Sequence, residues 1–190
     1  MARYFTLAEG GAEVEFEDYE AALLAGYARQ MLELIDARER PAGGGAEDLI
    51  ASAFREGPSE RPADPALARL FPDAYTESGP GGDAAAASAE FRRYTEGDLR
   101  ARKHEDAAAL VASLESLGEG PLVLGPEDCR RWLGALNDLR LTVASRLGIV
   151  DEASLEALGD LPEDDPRDGL MMVYEWLTML QESLVGSMPR

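Results

Sequence analysis

Residues 125–149 read GPEDCRRWLGALNDLRLTVASRLGI, and this stretch predicts one long amphipathic helix with both ends marked. Pro126 suits the first helical position, Glu127 and Asp128 favour a helix start through the macrodipole, and Gly148 is a ready C-terminal stop. Cys129, Trp132, Leu136, Leu139, Val143 and Leu147 recur every three or four residues, so they share one face. The lone cysteine and one of the two tryptophans lie on that face. Such a stripe needs other helices to cover it, and the flanking sequence supplies candidates.

Downstream, residues 151–158 predict a short helix, and residues 160–165 are dense in acid. Asp165-Pro166 reads as a cap followed by proline, opening a final helix from about Pro166 to Gly186. Its seam is Leu170, Val173, Leu177, Leu180 and Leu184. Met171, Met172, Tyr174, Trp176 and Met179 widen the apolar surface well beyond that seam. A helix apolar around so much of its girth is central to the core or shared with another chain. The core is the expected use, as partner of the 125–149 helix. Met171, Met172, Trp176 and Met179 form the candidate interface for a homodimer or another protein.

Upstream, Leu122–Leu124 between Pro121 and Gly125 is a candidate three-residue strand. Arg3–Leu7 and Ala12–Phe16 flank Gly10-Gly11 as a β-hairpin, which the 122–124 strand is placed to join. A helix from about Asp18 to Ala37 follows, with Leu24, Tyr27, Ala28, Met31, Leu34 and Ile35 as its apolar stripe. A short helix is expected over about Glu47 to Arg55, with Leu49, Ile50 and Phe54 inward. Asp64-Pro65 opens another, with Leu67 and Leu70 inward and Phe71 pinning it to the core. Loops are expected near 40–46, 56–64 and 76–83, each rich in glycine or proline and read as mobile surface segments. Ala84–Leu117 has helix composition, with an expected interruption near Gly97. Phe91, Tyr94, Leu99, Leu110, Val111, Leu114 and Leu117 are its expected buried positions. The fold class that results is mainly α: a single-domain helical bundle over residues 1–190 with a small N-terminal hairpin.

The chain carries 37 acidic residues against 18 Lys and Arg, a formal charge of −19. That field repels phosphate backbones and anionic lipid, so nucleic acid and membrane are disfavoured and a basic protein partner is favoured. Arg92, Arg93, Arg100, Arg102 and Lys103 form the one basic concentration, read as a solvated helix face paired with nearby carboxylates, the alternative being a contact surface for an acidic partner or nucleic acid. Neither a signal peptide nor a membrane-length apolar run is recognisable, and the expected location is the cytoplasm.

Catalytic signatures are missing: there is no GxSxG, HExxH, phosphate loop or EF-hand loop. His104 beside Glu105 and Asp106 reads as solvated. Glu163, Asp164, Asp165 and Asp168 read as helix-start carboxylates. No catalytic, cofactor or metal site is assigned, and no enzyme activity is expected. Cys129 is the candidate redox residue, because the first turn of a helix lowers a thiol pKa. The competing reading is a packed small hydrophobe on the Trp132 seam. Asn137, Asp138, Arg140 and Arg146 form a polar set among apolar neighbours. They are read as an interaction or structural cluster, with a buried arginine–carboxylate fork setting helix register. The alternative is a small-molecule or enzymatic pocket on which these charges converge.

Four stretches together carry a family resemblance: YEAALLAGYARQMLELID (residues 19–36), DPALARLFPDAY (64–75), LNDLRLTVASRLGI (136–149) and YEWLTMLQESLV (174–185). They resemble the AosR-like family of acidic actinomycete proteins, of the oxidative-stress-responsive regulator type. The resemblance implies a non-enzymatic regulatory or adaptor protein in oxidative-stress-linked transcription control. Its implied partner is a transcription factor or sigma factor. It also implies a switch built on two cysteines three apart near the N-terminus. Met1–Phe16 contains none, and Cys129 does not occupy that position.

Overall fold

The computed structural model describes residues 4–37, 57–76, 83–118, 120–159, 162 and 164–188. Among them are six helices and three short strands: β1 (Thr6–Ala8), β2 (Gly11–Val14), α1 (Asp18–Asp36), α2 (Pro65–Leu70), α3 (Ala84–Glu115), β3 (Leu122–Leu124), α4 (Pro126–Leu147), α5 (Glu152–Gly159) and α6 (Asp168–Ser187). The fold is mainly α with a small antiparallel sheet, as the periodicities predict. The expected helix over Glu47–Arg55, the 40–46 loop and residues 77–82 of the 76–83 loop lie outside the described residues.

α4 is the central helix. Gly125 precedes it, Pro126 occupies the first turn, and Gly148 ends it in the left-handed region at φ 77°. All six positions of the expected stripe are buried. α1 packs on α3, α3 on α4, and α4 on α2 and α6, so α4 has helices on several sides. The buried apolar residues form one contiguous cluster running from Phe5 to Leu184.

The sheet has order β1-β2-β3, with Leu7 opposite Ala12 and Ala12 opposite Leu124. Gly10 makes the turn at φ 86°. Trp132 of α4 ties the sheet to the bundle. Phe5 meets its ring edge-on at 5.8 Å, Phe16 stacks on it at 6.2 Å, and its indole N–H donates to Ser113 Oγ of α3 at 3.3 Å. α6 covers the free edge of β1 at Phe5. The Phe5 N–H donates to Ser183 Oγ at 3.2 Å, and the Ser187 hydroxyl donates to the Phe5 carbonyl at 3.0 Å.

Two expectations are corrected in α3. The helix runs unbroken through Gly97, because one glycine costs only about 1 kcal/mol and packing on α1 and α4 outweighs it. Its N-terminal half also faces the other way. Phe91 and Tyr94 are 47% and 71% exposed and Leu99 is exposed too, while Ser88, Arg92, Glu96 and Arg100 are buried. Arg92 and Arg100 therefore do not belong to a solvated basic face. A smaller correction concerns α6, which starts at Asp168 rather than Pro166. Asp165 instead closes a local turn, accepting from the Arg167 N–H and guanidinium, and that pairing holds its carboxyl down at about 2.

Candidate functional site

Cys129 sits in the first turn of α4, as its place after Pro126 dictates, and is fully buried. Its thiol lies 3.5 Å from the Leu124 carbonyl. Burial pushes the thiol pKa up, the Ala12 N–H pulls it back, and Asp128 adds to the rise. The helix start that favours a thiolate is thus overruled by desolvation. The geometry is that of a packed side chain beside Trp132.

The four polar residues of α4 are not brought together. Asp138 is buried and accepts from Lys103 Nζ of α3 at 2.6 Å, with Asn137 Nδ2 on the same oxygen at 3.5 Å. Arg146 instead reaches Asp64 Oδ2 at 3.0 Å, at the N-cap of α2. Arg140 Nε is buried with no hydrogen-bond partner among the described residues. The carboxylate of the set meets a lysine, and the arginine that finds a carboxylate does so at an exposed position. Asp138 and Arg146 thus reach different neighbours, and neither meets Arg140.

Asp106 of α3 borders the Lys103–Asp138 pair. Its carboxylate packs against α4 where Gly134 leaves room, since a Cβ there would fall 2.6 Å from Asp106 Oδ2. Burial raises its pKa, Arg102 opposes that rise, and the Asp138 charge adds to it.

The most extensively bonded polar group lies on the buried side of α3. Glu96 sits between Arg92 and Arg100, one turn to either side, and accepts from each at 2.7 Å. Arg92 also donates to the Phe71 carbonyl at 3.0 Å and to Asp73 at 2.7 Å. Arg100 donates to the Ile35 carbonyl in the last turn of α1 at 2.6 Å, with its guanidinium 4.3 Å from the Phe71 ring centre. Through these bonds the group joins α1, α3 and the segment that follows α2. Its signal in the sequence is the spacing Ser88, Arg92, Glu96, Arg100. One residue every four falls on the line that continues as Ala107, Leu110 and Leu114.

Among the described residues no group of three His, Cys, Asp or Glu could hold a metal ion, and no helix is long and apolar enough to cross a membrane. His104 Nε2 lies 3.5 Å from Asp36 at the surface. The four candidate interface residues share α6 without equal exposure. Met172 and Met179 are 63% and 44% exposed, while Met171 and Trp176 are half-buried and pack against the core.

Comparison with known proteins places these features in a family. The oxidative stress regulator AosR of Mycobacterium tuberculosis is 33% identical over 174 residues, covering 88% of this chain and 77% of the relative. The protein of the same name from Mycobacterium bovis matches equally. The putative oxidative stress regulator AosR of Mycobacterium leprae is 33% identical over 175 residues, with the same coverage. No solved structure matches. Residues 2–188 match the model of a domain of unknown function, DUF2017, and the chain belongs to that family.

Proposed function

We propose that this chain is a non-enzymatic regulatory protein that acts by binding another protein through the outer face of α6. The observation that carries the reading is the two-sidedness of that helix. Val173, Leu177, Leu180 and Leu184 are buried against the bundle, whereas Met172 and Met179 stand exposed together on another face. Methionine is flexible and polarisable, which suits an adaptable contact surface. Met172, Glu175, Met179 and Glu182 recur at helical spacing, so the exposed apolar side chains alternate with carboxylates. That pattern fits an apolar patch flanked by Lys or Arg. Self-association would bring a charge of −19 against its equal, so a basic partner is favoured over a second copy. The names of the relatives support a role in the oxidative stress response, and a cytoplasmic transcription factor or sigma factor is the partner class proposed.

Affinity capture from native lysate tests this. The wild-type protein is expected to recover a specific basic or transcription-related partner. The double variant Met172→Glu/Met179→Glu is expected to lose it while keeping its thermal midpoint. Recovery of no specific partner by the wild type would sink the reading.

A further inference from the structure

We propose that the open groove between α2 and the C-terminal end of α4 binds a small amphipathic carboxylate, a medium-chain aliphatic acid. Its tail lies on apolar side chains and its head group is held by arginine. The groove shares no residue with α6, so the inference goes beyond the protein-binding reading and does not rest on it.

The groove measures about 580 Å³, within the roughly 300–1,000 Å³ span of ligand clefts. Ala68 of α2, Leu141 of α4, and Ile149 and Val150 just beyond α4 supply its apolar surface. Ala68 and Ile149 are buried, whereas Val150 is an exposed apolar side chain. Pro65 and Pro72, at the two ends of α2, also line the groove. Their fixed φ keeps that side in place before a ligand arrives, which lowers the ordering cost of binding. No aromatic ring lines the groove among the described residues. Nothing there stacks on a planar ligand, so a flexible aliphatic tail is the complementary shape.

The charge of the lining decides the head group. In a chain of net charge −19, this groove is lined by Arg61 and Arg69 and, among the described residues, by no carboxylate. Arg69 Nη1 donates to the Ile149 carbonyl at 3.1 Å. That bond holds the guanidinium beside the apolar surface but leaves its charge unmatched, because the acceptor is neutral. Arg61 Nη1 stands 3.8 Å from Asp73 Oδ2, too far for a hydrogen bond, and Asp73 already accepts from Arg92 at 2.7 Å. The carboxylates that flank the groove in the chain are engaged elsewhere. Asp64 accepts from Arg146 and from two N–H groups of α2, and Asp151 accepts from the Ser154 N–H. Guanidinium donors suit a carboxylate, which takes two N–H groups side by side. The Ser145 hydroxyl, which also lines the groove, makes no other hydrogen bond among the described residues and adds a neutral donor. Exposed charges beyond about 8 Å are largely screened at physiological salt, so these near contacts outweigh the acidic surface farther off.

The test uses the full chain with octanoate, decanoate, octylammonium and acetate as probes. Isothermal titration calorimetry measures binding, and amide chemical-shift changes in the 15N-labelled protein locate it. Decanoate is expected to bind more tightly than octanoate, by up to about tenfold for its longer tail. Acetate, which has no tail, and octylammonium, whose head has the opposite charge, are expected not to bind. The shifts are expected in α2 and over residues 141–150. Arg69→Gln removes the unmatched charge, and Val150→Glu places a carboxylate in the groove from an exposed position. Each is expected to weaken decanoate binding by about tenfold or more. Circular dichroism checks that the variants stay folded, and either one alone decides the matter. Undetectable binding of decanoate to the wild type overturns the proposal. So does equal binding of octylammonium, undiminished binding by a folded variant, or shifts confined to residues outside the groove. Partner capture through Met172 and Met179 is a separate measurement, and its failure defeats the protein-binding reading without touching this one.

Discussion

Lys103 and Asp138 meet across the α3–α4 interface with Nζ 2.6 Å from Oδ1, the carboxylate almost wholly buried and the ammonium at the margin of solvent. The two ends of this pair are unequal. A lysine deprived of its partner can swing its ammonium toward water, whereas the aspartate is fixed inside α4. Asp138→Ala is expected to cost about 1–3 kcal/mol. Lys103→Met, which strands the carboxylate, is expected to cost about 3–5 kcal/mol. Urea denaturation of the two variants measures this, and a milder loss in Lys103→Met would contradict the asymmetry.

Asp106 gives the same interface a pH dependence. Burial holds its folded-state pKa above the ordinary carboxylate value, with Arg102 opposing and Asp138 adding to the rise. Protonation of Asp106 therefore favours the folded state. Its contribution is fully present below the unfolded carboxylate pKa and is lost as pH rises through the raised folded value. Asp106→Asn is expected to raise the thermal midpoint near pH 7, by an amount that shrinks toward about pH 4. A midpoint difference that stays constant across that range would show that charge is not the cause.

The Arg92–Glu96–Arg100 group behaves as one unit because Glu96 serves both arginines. Glu96→Ala leaves two buried guanidinium groups without their shared carboxylate, and a loss of about 3–5 kcal/mol is expected. Arg100→Ala also deprives the Ile35 carbonyl of its donor. A double-mutant cycle between positions 96 and 100 is expected to show coupling of about 1 kcal/mol or more. Additive losses would mean the contacts act independently.

Cys129 is expected to be inert in the folded protein. Its side chain is fully buried and its pKa is raised by that burial, so a thiol reagent should label it only after denaturation. Light scattering should show no peroxide-dependent dimer. Rapid labelling of the native protein, or a dimer lost in Cys129→Ser, would restore the redox reading.

Two glycines should respond in opposite directions to alanine. A Cβ at Gly11 would lie 1.9 Å from the Leu124 carbonyl oxygen, a backbone atom fixed by the β2–β3 ladder. Gly11→Ala is therefore expected to cost about 3 kcal/mol or more. Gly26 in α1 has nothing within 4 Å of its ideal Cβ, and Gly26→Ala is expected to gain up to about 1 kcal/mol from helix propensity. Thermal midpoints of the pair check both signs.

The sequence by itself determined the elements whose local pattern and burial agree. α4 carries proline at its start, glycine at its end and a stripe of six residues that is buried throughout. α1, α2, the hairpin and the seam of α6 follow the same logic, because their apolar residues are the ones water rejects. The α3 helix shows where that logic stops. Phe91, Tyr94 and Leu99 are apolar and exposed, while Arg92, Glu96 and Arg100 are charged and buried. A hydrophobicity pattern cannot anticipate this, because a charge is tolerable inside only when specific partners wait there. Those partners are Asp73, the Phe71 and Ile35 carbonyls and the Phe71 ring, up to 65 residues away in the chain. Asp138 and Arg146 teach the same lesson on α4. Their positions are plain in the sequence, yet tertiary packing sends one to Lys103 and the other to Asp64. Burial of apolar surface is a property of single residues and can be read along the chain. The pairing of buried charge belongs to two distant residues at once, and only the folded arrangement decides it.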